Sequence, residues 1–253
     1  MDLDAVARAG RELVEECPRT YKQLGEKLVK QWPAYEPSVL AEVIRSLVPL
    51  VQVPPRGIWG SSGPAAHTTA EHWLTQPLSD TPSMDELVIR YFDAFGPATI
   101  ADLQHWSGIR RLREVVERNS HRLERHLDAN GQERFDTAGR LYPDAETPAP
   151  ARFLGEFDNV LLSHANRTHV MSEEDRQRVF TVNGIIRQTI LVDGFVHGLW
   201  KLHQTGNDAF VEILPFRALT PADLRNLENE GETLIAFTAA GKTSLGVRFL
   251  KPE

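Results

Sequence analysis

Thr20-Tyr21-Lys22-Gln23-Leu24 and Thr99-Ile100-Ala101-Asp102-Leu103 are the two stretches on which the reading of this chain turns. They share Thr-x-x-x-Leu at an offset of 79 residues. In each, a threonine is placed to cap a helix and a polar residue stands three positions on, the spacing of a capping box. Each is preceded by an apolar-periodic segment and a proline break. Leu3, Val6, Leu13 and Val14 run up to Pro18. Met84, Leu87, Val88, Tyr91, Phe92 and Phe95 run up to Gly96-Pro97, with Ser83 and Glu86 as a further capping box.

The chain downstream of each stretch also repeats. After the first comes a helix from about Ser38, with Leu40, Val43, Ile44, Leu47 and Val48 on one stripe and Pro49 as its stop. Leu50 to Val53 reads as a strand, Pro54-Pro55-Arg56-Gly57 as a turn or wing tip, and Ile58-Trp59 as the returning strand. After the second comes Ser107-Gly108, a tight turn, and a helix over about 109–120 with Leu112, Val115 and Val116 inward. Leu123 to Leu127 and Gln132 to Phe135 then flank Asp128-Ala129-Asn130-Gly131, a hairpin signal. Helix, helix-turn-helix, hairpin is the winged-helix plan.

Beyond Tyr142 the pattern changes. Residues 142–151 are proline-rich and read as a linker. Val179–Val182, Ile185–Val192, Phe195–Leu202 and Phe210–Leu214 read as strands, with Asn183-Gly184 and Asp193-Gly194 as two-residue turns. Thr220-Pro221-Ala222-Asp223 opens a closing helix. The expected class is α+β: two tandem winged-helix units followed by a small antiparallel sheet or barrel closed by a helix. The expected boundaries are 1–76, 77–142, a linker over 143–151, and 152–253.

Composition narrows the function. With 41% hydrophobic residues among 253, the chain has ample material for packed cores. No apolar run reaches the roughly 20 residues of a membrane span, and Met1-Asp2-Leu3-Asp4 lacks a signal peptide's features, so a cytoplasmic location without membrane partners is the default. Cys17 is the sole cysteine, which excludes an internal disulfide and a cysteine-rich zinc site. His164 with His169, and His197 with His203, lack helical zinc spacing, so no metal or other cofactor is expected. Gly241-Lys242-Thr243 lacks the earlier glycine of a P-loop. Trp59, Trp73, Trp106 and Trp200 read as core or interface anchors.

Net charge is −7, which disfavours nucleic acid as a whole-chain average. Its distribution argues otherwise. From Ile109 to His126 there are six arginines against three glutamates. Arg110, Arg111 and Arg113 open the third helix of the second unit, where a recognition helix meets phosphates, although Glu114 and Glu117 also suit a solvated helix face. Arg56 sits at a wing tip, and arginine suits a minor groove; a purely structural turn is the competing reading. His164, Asn166, Arg167 and His169 form a polar loop after an apolar run, either a surface that touches the DNA backbone or wedges into it, or a turn made by Asn166. Asp158-Asn159 reads as turn-forming.

Four stretches together resemble the AlkZ-like winged-helix DNA glycosylases. They are Val51-Gln52-Val53-Pro54-Pro55-Arg56-Gly57-Ile58-Trp59-Gly60, Arg90-Tyr91-Phe92-Asp93-Ala94-Phe95-Gly96-Pro97-Ala98-Thr99, the run Phe157 to Arg167, and Leu191-Val192-Asp193-Gly194-Phe195. The resemblance implies tandem winged helices and a barrel-like domain around a DNA cleft, with hydrolysis of the N-glycosidic bond of alkylated or crosslinked purines. It also implies a catalytic Gln-x-Gln or Gln-x-Asp pair in a preceding winged helix. None of this chain's nine glutamines has either partner two residues on. The expectation is therefore a duplex-DNA-binding protein that lacks the catalytic N-terminal segment, with no catalytic residue of its own. An active alkylpurine or crosslink glycosylase, and a regulatory or protein-interaction protein without enzymatic activity, are the alternatives. Nothing in the sequence sets an oligomeric state.

Overall fold

The computed structural model describes residues 1–242 and 244–252, so Thr243 of the Gly-Lys-Thr run lies outside the described residues. The chain divides into two compact units, Met1–Pro82 and Ser83–Glu253.

The first unit contains α1 (Leu3–Glu16), α2 (Tyr21–Leu28) and α3 (Pro37–Leu47), then β1 (Leu50–Gln52), β2 (His67–Thr69) and α4 (Ala70–Leu74). Thr20 and Gln23 form the expected reciprocal capping box on α2. Pro37 starts α3 at a position where its missing N–H costs nothing. Val6, Val14, Leu24, Leu28, Leu40 and Ile44 are fully buried between the three helices. Two glycines permit the close approach: a Cβ on Gly10 would lie 2.1 Å from Ile44 Cδ1, and one on Gly25 2.3 Å from the Pro37 carbonyl oxygen.

The returning strand of this unit differs from expectation. It is His67–Thr69, paired antiparallel with β1, and not Ile58-Trp59. Pro54 and Pro55 remove two ladder donors, and the Gly-Ser run over 60–63 offers no strand formers. The ladder resumes where Val53 N–H donates to Ala66 O at 2.9 Å. Thr68 Oγ1 then donates to Val14 O (2.9 Å) and Thr69 Oγ1 to Glu15 (2.7 Å), fixing β2 onto α1.

The second unit opens with α5 (Met84–Phe95), α6 (Ile100–Ser107) and α7 (Arg113–Arg118), followed by β3 (Leu123–Leu127) and β4 (Glu133–Thr137) in an antiparallel pair. Val88, Tyr91, Phe92, Leu103 and Val116 form its core. Ser83 accepts the Glu86 N–H, but the Glu86 carboxylate pairs with Arg122 at 2.7 Å, so that cap is one-sided. The third helix is shorter than the expected 109–120. Gly108 ends α6 in the left-handed region, and Arg111 also has positive φ. The Gln104 side chain holds the intervening turn by accepting the Leu112 N–H at 3.1 Å.

After β5 (Arg152–Leu154) come α8 (Asn159–Leu162) and α9 (Glu173–Val179), then β6 (Thr189–Val192), β7 (Phe195–Thr205), β8 (Asp208–Pro215), α10 (Pro221–Thr238) and β9 (Ser244–Phe249). Asp158 caps α8, as its turn-forming reading implies. The strand expected at Val179–Val182 is instead the end of α9 and a turn. Ser172 caps that helix and Glu173, Glu174 and Asp175 fill its first turn, which favours helix over the local β-branched content. The sheet order is β5-β6-β7-β8-β9. It is mixed, not wholly antiparallel, because β9 runs parallel to β8 after the α10 crossover. Among the described residues no pairing joins β9 back to β5, so the sheet is open. Ile190, Val211, Ile213, Leu227 and Ile235 bury one sheet face against α10.

Candidate nucleic-acid interface

The 163–169 segment is fastened to the helices of its own unit by charged and polar groups. Asp102, only 2% exposed, does two things at once. Its Oδ2 accepts the Thr99 N–H (2.9 Å) and hydroxyl (2.7 Å), completing the α6 capping box. Its Oδ1 accepts the Ala165 N–H at 2.9 Å and the Asn166 N–H at 3.4 Å. Burial pushes the Asp102 carboxyl up, but the Thr99 and Ala165 hydrogen bonds and the His164 charge outweigh it, so the net shift is downward. Tyr91 donates its hydroxyl to Ser163 O at 2.8 Å, and burial, with Asp102 nearby, raises that phenol.

His164 faces inward, 9% exposed. Its Nε2 lies 3.1 Å from Phe95 O, a pure acceptor, so Nε2 carries the proton. Its Nδ1, 2.9 Å from Ser163 Oγ, then accepts the serine hydroxyl. Burial lowers the His164 pKa against the opposing pull of Asp102. His169 lies nearer the surface, its ring edge-on to His164 at 4.5 Å, and burial followed by His164 lowers its pKa too. Asn166 Oδ1 accepts the Thr168 N–H (3.0 Å) and hydroxyl (2.8 Å), an Asx turn. Arg167 donates Nε to Leu161 O at 2.6 Å and Nη2 to His105 Nε2 at 3.2 Å, and its guanidinium lies 5.0 Å from the Phe180 ring centroid. The segment thus leans on α5 and α6, with Asn166 and His169 outermost. A polar cavity of about 400 Å³ opens beside it, lined by Asn166, Arg167, Thr168, Ser172 and Arg176 among others.

Arg110 and Arg111 are exposed in the turn before α7, not on the helix itself. Arg113, the first residue of α7, reaches Glu117 at 3.8 Å with both side chains about two-thirds exposed. The other arginines of the run are held closer, Arg118 by Asp85 (2.6 Å), Arg122 by Glu86 (2.7 Å) and Arg125 by Glu133 (2.8 Å). An exposed pair at 3.8 Å is worth little, so Arg113 is free to exchange Glu117 for another anion. Arg56, in the other unit, is exposed in its Pro-Pro-Arg-Gly turn.

Sequence reasoning missed Asp102, Tyr91 and Ser163 as anchors of the 163–169 segment. The Asp102 capping box was legible, but nothing in the spacing announces that its second oxygen grips a turn 63 residues away. The tryptophans divide. Trp106 packs on Tyr91 at 5.2 Å and Trp200 donates Nε1 to Leu154 O, as anchors do. Trp59 does not lie in a core, being 71% exposed.

The family model described as DNA glycosylase AlkZ-like matches residues 1–237. Streptomyces sahachiroi DNA glycosylase AlkZ shares the fold, with a TM-score of 0.69 and 22% identity, over 98% of this chain and 69% of that one. No curated protein matches. Neither match supports the expectation that a catalytic N-terminal segment is absent. Among the described residues no helix is long and apolar enough to cross a membrane.

Proposed function

The chain belongs to the AlkZ-like DNA glycosylase family, and from that premise we propose that it grips duplex DNA by its phosphate backbone at sites of purine alkylation, using two winged-helix units. The observation that carries this reading is the exposed trio Arg110, Arg111 and Arg113 at the turn between α6 and α7. That turn leads into the third helix, whose N-terminal end is what a helix-turn-helix presents to DNA. Arg56 adds a contact from the first unit's wing. Within the second unit Asn166 and His169 are further contacts, while His164 and Arg167 hold the segment that presents them. These contacts go to phosphates and position the duplex without reading its sequence.

Catalysis is not assigned to this chain. Breaking an N-glycosidic bond needs polar groups that place a water and stabilise an oxocarbenium-like sugar. The buried carboxylate Asp102 is committed to four internal donors, and His164 to two partners. The family's own name favours the second reading, an active glycosylase.

Two measurements decide. Duplex binding followed by anisotropy across a salt series should give a negative slope of log K against log salt. Replacing Arg110, Arg111 and Arg113 with alanine should flatten it by about 2 to 3, since each phosphate contact contributes about 0.9. Equal slopes for both proteins refute the assignment. Incubation with duplex bearing N7-methylguanine then separates the readings: abasic sites accumulating in proportion to protein establish the active enzyme.

A further inference from the structure

We propose that the polar cavity beside the 163–169 segment is a seat for one phosphate group of a nucleic-acid backbone, held between Arg167 and Arg176. The inference rests on the duplex-binding reading above and adds to it a site, a second arginine and the anion that the pair receives.

The cavity, about 400 Å³, is walled by the segment and by the start of α9, both in the second unit. Arg167 and Arg176 line it, and both guanidiniums sit on the ring of Phe180, at 5.0 and 5.9 Å from its centroid. Two cations gathered on one ring repel each other. The Arg167 pKa is lowered accordingly, by burial first and by the Arg176 charge next. Among the described residues Arg167 has no carboxylate partner. Its acceptors are Leu161 O, Ala165 O and His105 Nε2, all uncharged. Those bonds take three of a guanidinium's five N–H donors. A half-buried cation is thus left with two spare donors and no counterion, where an unpaired charge is costly.

The walls supply further donors. Ser172 Oγ accepts the Asp175 N–H at 3.0 Å, and its own hydrogen has no acceptor among the described residues. Asn166 spends its Oδ1 on Thr168, which leaves its Nδ2 hydrogens to donate. Glu173 is the one carboxylate among the described lining residues, and it already plays the anion's part by accepting from Arg176 at 2.8 Å. Its side chain is 65% exposed, so it swings into solvent at little cost and yields Arg176 to an anion that both arginines share. No aromatic side chain is among the lining residues, so a base would gain no stacking there. A phosphate would meet guanidinium, amide and hydroxyl donors together.

The test uses the full chain with Arg176→Ala and Glu173→Gln, two changes that leave the segment's own anchors in place. Duplex binding is followed by anisotropy across a salt series. Arg176→Ala should bind about threefold to tenfold more weakly and lower the slope of log K against log salt by about 0.9, the share of one phosphate. Glu173→Gln should bind about twofold to fivefold more tightly, the worth of one exposed ion pair, and damaged folding would not produce a gain. In nitrogen–proton NMR spectra the Arg167 Nε–H signal, protected by its bond to Leu161 O, should shift on adding duplex to wild type and hardly move in Arg176→Ala. Wild-type affinity in Arg176→Ala, weaker binding by Glu173→Gln, or an unmoved Arg167 signal overturns the seat. The duplex-binding reading then still stands on its own triple variant. A shift that needs phosphorylated duplex ends assigns the cavity to terminal phosphates and also overturns the backbone seat. No binding by the wild-type chain at low salt removes both readings.

Discussion

The two units open with the same order of elements, three helices and a two-stranded ribbon, yet they differ in what the middle helix's cap is used for. In the first unit Gln23 closes the box on Thr20 at the surface and, among the described residues, makes no other hydrogen bond through its side chain. In the second, Asp102 closes the box on Thr99 inside the protein and turns its other oxygen to the turn at 165–166. Cation placement differs as well. The first unit carries an exposed arginine on a long wing, the second on the turn before α7, and its β3–β4 hairpin is short. One helical plan therefore yields a surface wing in one copy and a docking platform for later chain in the other.

Substitutions at the two caps would break this comparison if it is wrong. Asp102→Ala strands the Thr99 and Ala165 donors in a buried setting. We expect a loss of about 3 kcal/mol from the second unit's unfolding transition, each stranded buried group costing about 1–3 kcal/mol. Chemical denaturation measures it, and a loss below about 1 kcal/mol shows that the 165–166 turn does not depend on the carboxylate. Gly25→Ala comes next. A methyl group there meets the Pro37 backbone, so the first unit should lose about 1–3 kcal/mol as α2 and α3 separate, while the second unit's transition stays put.

Acid sharpens the contrast further. His164 has a folded pKa below its ordinary value of 6.5. Below that pH the unfolded chain takes up a proton that the folded one refuses. Its contribution is full above about pH 6.5 and is lost as pH falls toward the depressed value. Asp102 adds a second loss below its ordinary 3.8, of the same sign. His169 acts as His164 does, and His67 gives the first unit a similar response, its pKa lowered chiefly by burial. The His164 share is therefore the difference between wild type and His164→Gln. The variant's second transition should fall less steeply between about pH 7 and 5, and parallel profiles would show that His164 does not titrate with unfolding. Smallest of all is Gln23→Ala, expected to cost about 0.5–1 kcal/mol because only an exposed cap is weakened.

Much of the local structure was legible because it is decided locally. Thr20 with Gln23, Thr99 with Asp102, and Thr220 with Asp223 all form the boxes their spacing announces. Asp193-Gly194 makes its tight turn with both residues at positive φ. The failures share a different cause. The return strand at His67–Thr69 depends on α1 to receive Thr68 and Thr69. The parallel partner of β8 is decided by where α10 delivers the chain. The candidate interface residues split the same way: the arginines of the 110–113 turn are exposed as their charge suggests, whereas the inward turn of His164 is set by Phe95 O and Ser163, which no local pattern reveals.

The parallel pairing of β8 and β9 carries a consequence for how the second unit assembles. Hairpin-linked β6, β7 and β8 zip together through neighbours close in sequence. β9 has no such route, because α10 separates it from its partner and must dock before the two strands meet. Pairing across that gap meets its loop-closure entropy late. Without β9, the β8 edge presents an open row of amides and carbonyls, and the parallel strand is what hides them.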